Sequence, residues 1–243
     1  MQPDKERRTS MAEHGSRGGR ARDARRARAA ILDAAEAVFA QHGFDGARIE
    51  AIANTSGYNS GLLFRYFGDK LGLYAEVLKR ADKEMSELLA RVFAPWLSDE
   101  TITSDAYRFR GFLRSTFGSL FDYMVEHPHL MQMFNWEQAE GGQTFAKIAS
   151  QFEPADLAQF EALFSRARRA GLLRPDLDVV VMVVLVAQIC WSTPAALPVY
   201  QLLFAGRAFS SATALSHIRE QILDLLVAGI ISDADSENSG ERR

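Results

Sequence analysis

The chain has a single cysteine, Cys190, in 243 residues. An internal disulfide, a cysteine-ligated zinc site and an iron–sulfur cluster are therefore excluded, and a reducing compartment suits it. Long hydrophobic runs are also missing. The longest uninterrupted one is Val179–Ala187, far short of the roughly 20 residues of a membrane span. The first 30 residues are charged and lack the apolar stretch of a secretion signal. These absences predict a soluble cytoplasmic protein with no membrane partner. Enzyme signatures are lacking too: there is no GxSxG, no P-loop, no HExxH and no carboxylate pair at catalytic spacing. His127 and His129 flank Pro128, but no carboxylates at ligand spacing join them. Neither enzyme, cofactor nor metal is expected.

What is present is ordinary in amount and uneven in placement. Hydrophobic residues make up 47% and charged residues 24%, as in a soluble globular protein. The net charge of −3 hides a basic front and an acidic back: residues 1–96 hold 16 Lys and Arg against 13 Asp and Glu, residues 97–243 hold 12 against 18. Such a polarity points weakly to nucleic acid near the N-terminus.

Residues 1–21 are polar, carry Gly15, Gly18 and Gly19, and bury too little to repay ordering entropy, so they read as a disordered basic arm. Residues 232–243 read as a disordered tail. Between them apolar residues recur at helical spacing almost throughout, which predicts an all-α fold. Ile31, Leu32, Ala35, Val38 and Phe39 mark a first helix, with Gly43 at its left-handed end. Ile49, Ile52 and Ala53 mark a short second one, broken at Gly57. Asn59 caps a third over about 59–65. A long helix follows from Leu71 to Val92, with Pro95 as its stop and 97–104 as a linker. The run from Val179 to Trp191 is valine-rich, as strands are, but nothing else in the chain resembles a strand to pair with. It reads as a helix buried on all sides.

A longer helix, then two short ones joined by a tight turn with small Ala53 at their crossing, is helix-turn-helix spacing. Spacing alone leaves any small three-helix bundle open. The residues themselves resemble the N-terminal DNA-binding domain of the TetR family of bacterial transcriptional regulators: AAEAVFAQHGF at 34–44, IEAIANTSG at 49–57, GLLFRYFGDK at 61–70 and LYAEVL at 73–78. The resemblance implies a DNA-binding domain at 22–70 and a ligand-binding, dimerising helical bundle at 71–231.

It also implies that the third helix enters the major groove. Its free N-terminal amides suit phosphates or bases. Asn59, Ser60 and Gly61 lie at its start, Gly61 allowing close approach, and Leu62 and Phe64 suit thymine methyls. Tyr58 either contacts phosphate or packs on the turn, and Arg65 is either a phosphate contact or a solvated charge. Tyr66 and Lys70 occupy phosphate-binding positions of the family. Two residues depart from its pattern: Arg48 stands for the usual Thr and Phe64 for the usual Tyr. A cation at a helix N-terminus is unfavourable, and a DNA phosphate beside Arg48 compensates for it. Arg17, Arg20, Arg22, Arg25, Arg26 and Arg28 face one acid, Asp23. They form either a DNA-contacting stretch, with Arg22 and Arg25 nearest the domain, or a solvated face.

Beyond residue 96 the sequence is less specific. Bulky side chains suit an apolar pocket between helices, and plain core packing predicts the same composition. Candidate lining residues are Phe112, Phe117, Phe121, Met124, Phe134, Trp136, Phe164, Gln188 and Trp191, with Arg114, Asn135 and His127 as further polar contacts. Helices at 178–191 and 212–229 are the dimerisation candidates, through Val183, Val186, Leu215, Ile218, Ile222 and Leu225. The expected partners are a palindromic DNA operator, a second copy of the chain and an apolar or amphipathic small molecule whose binding releases a repressor. An activator or ligand-independent regulator on the same fold, and a ligand-binding protein with a degenerate reading head, are the alternatives.

Overall fold

The structure, a computed structural model, describes residues 4–97, 100–103, 105–152, 158–204, 209 and 211–232, with the backbone alone at 4–18, 20, 97, 100 and 159. Among the described residues there is no strand, only an isolated antiparallel bridge between Leu173 and Ile231. The helices are α1 (Asp4–Gly46), α2 (Ile49–Ser56), α3 (Ser60–Phe67), α4 (Lys70–Leu97), α5 (Ala106–Glu126), α6 (Pro128–Ala139), α7 (Gln143–Ala146), α8 (Ala158–Arg169), α9 (Val179–Leu203) and α10 (Ala212–Ile230). The all-α expectation holds.

Two compact units divide the chain. The first joins residues 1–81 with 132–152, and the second joins 82–131 with 153–243. The boundary expected at residue 70 therefore moves. The start of α4 belongs to the first unit because it is tied to α1: Arg80 reaches Asp33 and Glu36, each at 2.6 Å, and Arg28 pairs with Glu76. Ile31, Phe39, Ile52, Leu63, Leu73 and Tyr74 are sealed from water in this unit.

The expected disordered arm is replaced from Asp4 onward by helix. Asp4 suits the positive end of a helix, and Lys5, Glu6, Arg7 and Arg8 follow with high helical propensity. Met1–Pro3 and the expected tail from residue 233 lie outside the described residues. The helix α1 is broken at Gly43, whose φ of 67° and ψ of −179° are open almost only to glycine. The sequence placed the break correctly, though this ψ is not that of a left-handed helical cap. Pro95 does not stop α4, which continues to Leu97.

The second unit is built around aromatic residues. Phe160 stacks on Phe164 at 4.9 Å and meets Phe93 edge-on at 5.1 Å, while Phe109 and Phe112 lie 6.0 Å apart. Arg219 of α10 grips Asp122 of α5 with two hydrogen bonds, of 2.7 and 2.8 Å. Gly118 makes room for it, since a Cβ there would collide with the guanidinium.

The valine-rich segment is a helix, but it is not buried on all sides. Met182, Val186, Cys190 and Leu197 of α9 face the core, whereas Val180, Val181, Val184 and Leu185 are exposed. The whole helix is 25 residues without a charge, so by length and composition alone it could cross a membrane. Counting only the uninterrupted apolar run missed this, because Gln188 and the residues after Trp191 continue the same helix. Its inward face packs in the core of the second unit. Burial there pushes the Cys190 thiol up to about 12, which keeps it protonated and inert.

Replacing Gly43 tests the break in α1. Gly43→Ala should destabilise the protein by about 1–3 kcal/mol from backbone strain, with Trp136 ring atoms 3.0 Å from the new Cβ adding to it. Urea denaturation would measure the loss, and an unchanged midpoint would contradict this reading of the break.

Candidate nucleic-acid interface

The reading head is assembled from short helices with well-defined ends. Gly57 ends α2 in the left-handed conformation, φ 76° and ψ 13°, and the amide of Tyr58 donates back to the Ala53 carbonyl at 3.2 Å. Asn59 then starts α3 as expected: its Oδ1 accepts from the Leu62 amide at 2.9 Å. The helix runs to Phe67, two residues beyond the expected end.

Amphipathic spacing decides which side of α3 is available. Leu63 and Phe67 are buried in the head. Gly61, Phe64 and Arg65 form the outward row, three and four residues apart, and Phe64 remains 47% exposed. Ser60, Leu62, Tyr66 and Tyr58 are half-buried. The Arg65 guanidinium lies 5.5 Å from the centre of the Tyr66 ring. A bare aromatic ring on an exposed helix row costs solvation unless something covers it.

Arg48 is the N-cap residue of α2 and makes no side-chain capping bond. Ser, Thr, Asp or Asn would ordinarily satisfy an amide there. Arg48 instead leaves an exposed cation beside the positive end of the helix. Lys70 is placed differently from a freely projecting phosphate ligand. Its ammonium donates to the carbonyls of Asp45 at 3.3 Å and Ala47 at 3.1 Å and sits 4.6 Å from the centre of the Phe44 ring. Those contacts carry no negative charge, so the cation stays unneutralised. Arg22, Arg25 and Arg26 are exposed on α1. Arg28 leaves that group, because it pairs with Glu76 and lies over the Phe67 ring.

Two residues far along the chain belong to this unit. The Trp136 indole N–H donates to the Ala40 carbonyl at 3.0 Å, and its ring covers Gly43. The Tyr74 hydroxyl donates to Glu137 Oε1 at 2.7 Å. Burial and the neighbouring carboxylate push the Tyr74 phenol far above its ordinary range, so it stays a donor. Trp136 and Phe134 are thus not part of the second unit's interior. An apolar stripe on α6 looks the same whichever core it fills, so spacing did not separate the two, and no pattern flagged Glu137.

The remaining pocket candidates are mostly core. Phe112, Phe117, Phe121 and Phe164 are buried, Met124 packs against them, Trp191 is half-buried and Gln188 is exposed. Arg114 is engaged by Glu220 and Asp224. An open groove of about 410 Å³ lies instead among Glu84, Glu87, Arg91, Asp122, Tyr123, Glu126 and His127. A smaller one of about 270 Å³ includes Phe121 and Arg219. Of the named dimer residues, Val186 faces inward, Val183, Leu215, Ile218 and Ile222 are half-buried, and Leu225 is 72% exposed. The outward apolar residues of α9 include Val180, Val181, Val184 and Leu185.

Comparison with known proteins fits this head. Residues 31–77 match the family described as bacterial regulatory proteins, tetR family, and residues 111–226 match the tetracyclin repressor-like C-terminal domain. This chain belongs to the TetR family. It is 35% identical over 122 residues to the HTH-type transcriptional repressor SCO4008 of Streptomyces coelicolor, a match covering 50% of this chain and 55% of that repressor. It is 26% identical over 176 residues to the HTH-type transcriptional repressor NicS of Pseudomonas putida, covering 72% and 78% of the two chains. A TetR family transcription regulator from Marinobacter aquaeolei VT8 shares the fold, with a TM-score of 0.61 at 18% identity over 88% of this chain and 99% of that one.

The outward row of α3 yields a paired expectation. Phe64→Ala removes an exposed ring, so folding stability should move by less than about 0.5 kcal/mol while affinity for the preferred duplex falls. Lys70→Ala should lower the salt dependence of binding by about one ion. Titrations at several salt concentrations measure both, and a slope unchanged by Lys70→Ala would remove that residue from the phosphate contacts.

Proposed function

We propose that this TetR-family regulator is a cytoplasmic, homodimeric repressor that binds a palindromic DNA operator and is released by a small-molecule effector. The observation that carries the reading is α3. One face is sealed into the head through Leu63 and Phe67, while the other offers Gly61, Phe64 and Arg65 outward from an Asn59-capped N-terminus. An α-helix of these dimensions fits a major groove. Ser60, Gly61, Leu62 and Phe64 read base edges. Tyr58, Asn59, Arg48, Arg65, Tyr66 and Lys70 contact or steer the backbone, supported by Arg22 and Arg25. The repressor sense follows the named relatives.

One eight-residue helix reads too few bases for a unique site, and a two-fold dimer doubles the site. The exposed row Val180, Val181, Val184 and Leu185 on α9, with Leu225 on α10, supplies an uncharged surface for that pairing. An apolar effector in the second unit displaces the stacked phenylalanines around Phe164 and so selects a different arrangement of that core. Only a ligand with unequal affinity for the two arrangements shifts DNA binding.

Selection from a random duplex pool at near-physiological salt tests the reading. A palindrome should emerge, with half-sites one helical turn or a multiple apart. Purely salt-sensitive binding without a motif would overturn it. Val184→Glu combined with Leu185→Glu should yield a monomer in sedimentation and abolish preference for the palindrome.

A further inference from the structure

We propose that Trp136 and Glu137 of α6 are positioning residues for DNA recognition, a clamp that fixes the end of α1 against α4 and thereby sets the direction of α3. The proposal rests on the operator-binding reading above. It begins from the placement of residues 132–152, which are compact with the reading head although some 65 residues of sequence separate them from α3.

Each link in the clamp is a short contact. Gly43 leaves helical geometry inside α1, and the Ala40 carbonyl lies in the turn just before that kink. The Trp136 indole donates to it, at 3.0 Å. Glu137, 7% exposed, accepts from the Tyr74 hydroxyl at 2.7 Å and from the Phe145 amide at 3.0 Å. The Tyr74 ring meets Phe39 and Phe44 edge-on, at 5.0 and 5.3 Å. Phe44 lies under the Lys70 ammonium, and that ammonium holds the Ala47 carbonyl, two residues before α2 begins. A displacement of α6 thus reaches the loop that launches the helix-turn-helix.

The chemistry of the clamp argues for positioning over bulk stability. Glu137 is a buried carboxylate whose partners among the described residues are two neutral donors. Removing such a charge from water is costly, and apolar residues of the same size would hold the helices more cheaply. Directional hydrogen bonds fix orientation, which apolar packing does loosely. Moreover, α6 starts at Pro128 in the second unit and enters the first at Gln132, so the clamp is carried on a helix shared by both.

The test uses the full-length protein, the palindromic duplex recovered by selection and a scrambled duplex of equal length. Tyr74→Phe keeps the ring and removes only the hydroxyl, Glu137→Ala removes both acceptor oxygens, and Glu137→Gln keeps the size of the side chain with one acceptor oxygen, for the Phe145 amide, and an amide N–H that can donate to the Tyr74 oxygen. Tyr74→Phe and Glu137→Ala should each weaken palindrome binding about tenfold, as one lost hydrogen bond allows, and leave the scrambled duplex and its salt slope unchanged. Glu137→Gln should lose less than Glu137→Ala, since its oxygen still accepts from the Phe145 amide and its N–H meets the Tyr74 oxygen with the direction of that bond reversed. Unchanged palindrome affinity in Tyr74→Phe, or equal losses on both duplexes, overturns the clamp. If Glu137→Ala fails to melt cooperatively, Tyr74→Phe decides. A wild-type protein that prefers neither duplex removes the operator reading and the clamp with it, whereas a wild type that prefers the palindrome beside indifferent variants removes the clamp alone.

Discussion

Tyr74 has almost no contact with water, so its hydroxyl must find an acceptor or cost about 1–3 kcal/mol. The acceptor, Glu137, lies 63 positions away in sequence. Around that bond the rest of the head falls into place: Phe39 and Phe44 pack on the ring, Lys70 lies on Phe44, and Trp136 closes the break at Gly43. Were the phenol left unpaired, the segment 132–152 would lose that hydrogen bond to α4 and keep the one from the Trp136 indole to α1, and the buried Glu137 would lose one of its two donors among the described residues.

Much of this head could be read in the sequence. Gly43, Gly57 and Asn59 placed the break in α1, the end of α2 and the start of α3, and Ile31, Phe39 and Ile52 marked inward faces, because local propensity and tertiary packing agree there. Lys70 shows where reading stops. Its residue type announced a cation, but its carbonyl partners at Asp45 and Ala47 depend on how a broken helix turns back, which no spacing encodes. Trp136 and Glu137 were harder still. Long-range polar contacts leave no periodic trace, and an apolar helix gives no sign of which core it enters.

The second unit was legible as a class and not as a site. Phe112 and Phe164 carry the composition of a ligand pocket, and the structure spends it on ring-to-ring packing. Composition reports how much apolar surface exists, whereas a cavity depends on whether rings interdigitate. On α9 the polar residues Gln188, Ser192 and Thr193 come only after the valine run, so along Val179–Ala187 a period of 3.6 had no polar contrast to act on. Only packing against the core could show that Val186 turns inward while Val184 and Leu185 turn out.

The meeting of Gly118 with Arg219 bears on how this chain can change over generations. The guanidinium lies where a side chain at 118 would begin, and it is held there by Asp122. Residues that touch in this way do not contribute independently, with couplings of about 0.5–3 kcal/mol. An added Cβ at 118 therefore costs the arginine its grip on Asp122, a conflict that ends once the arginine has gone. The three positions form one unit of inheritance, and a lineage can leave the glycine only after it has given up the ion pair that crosses it.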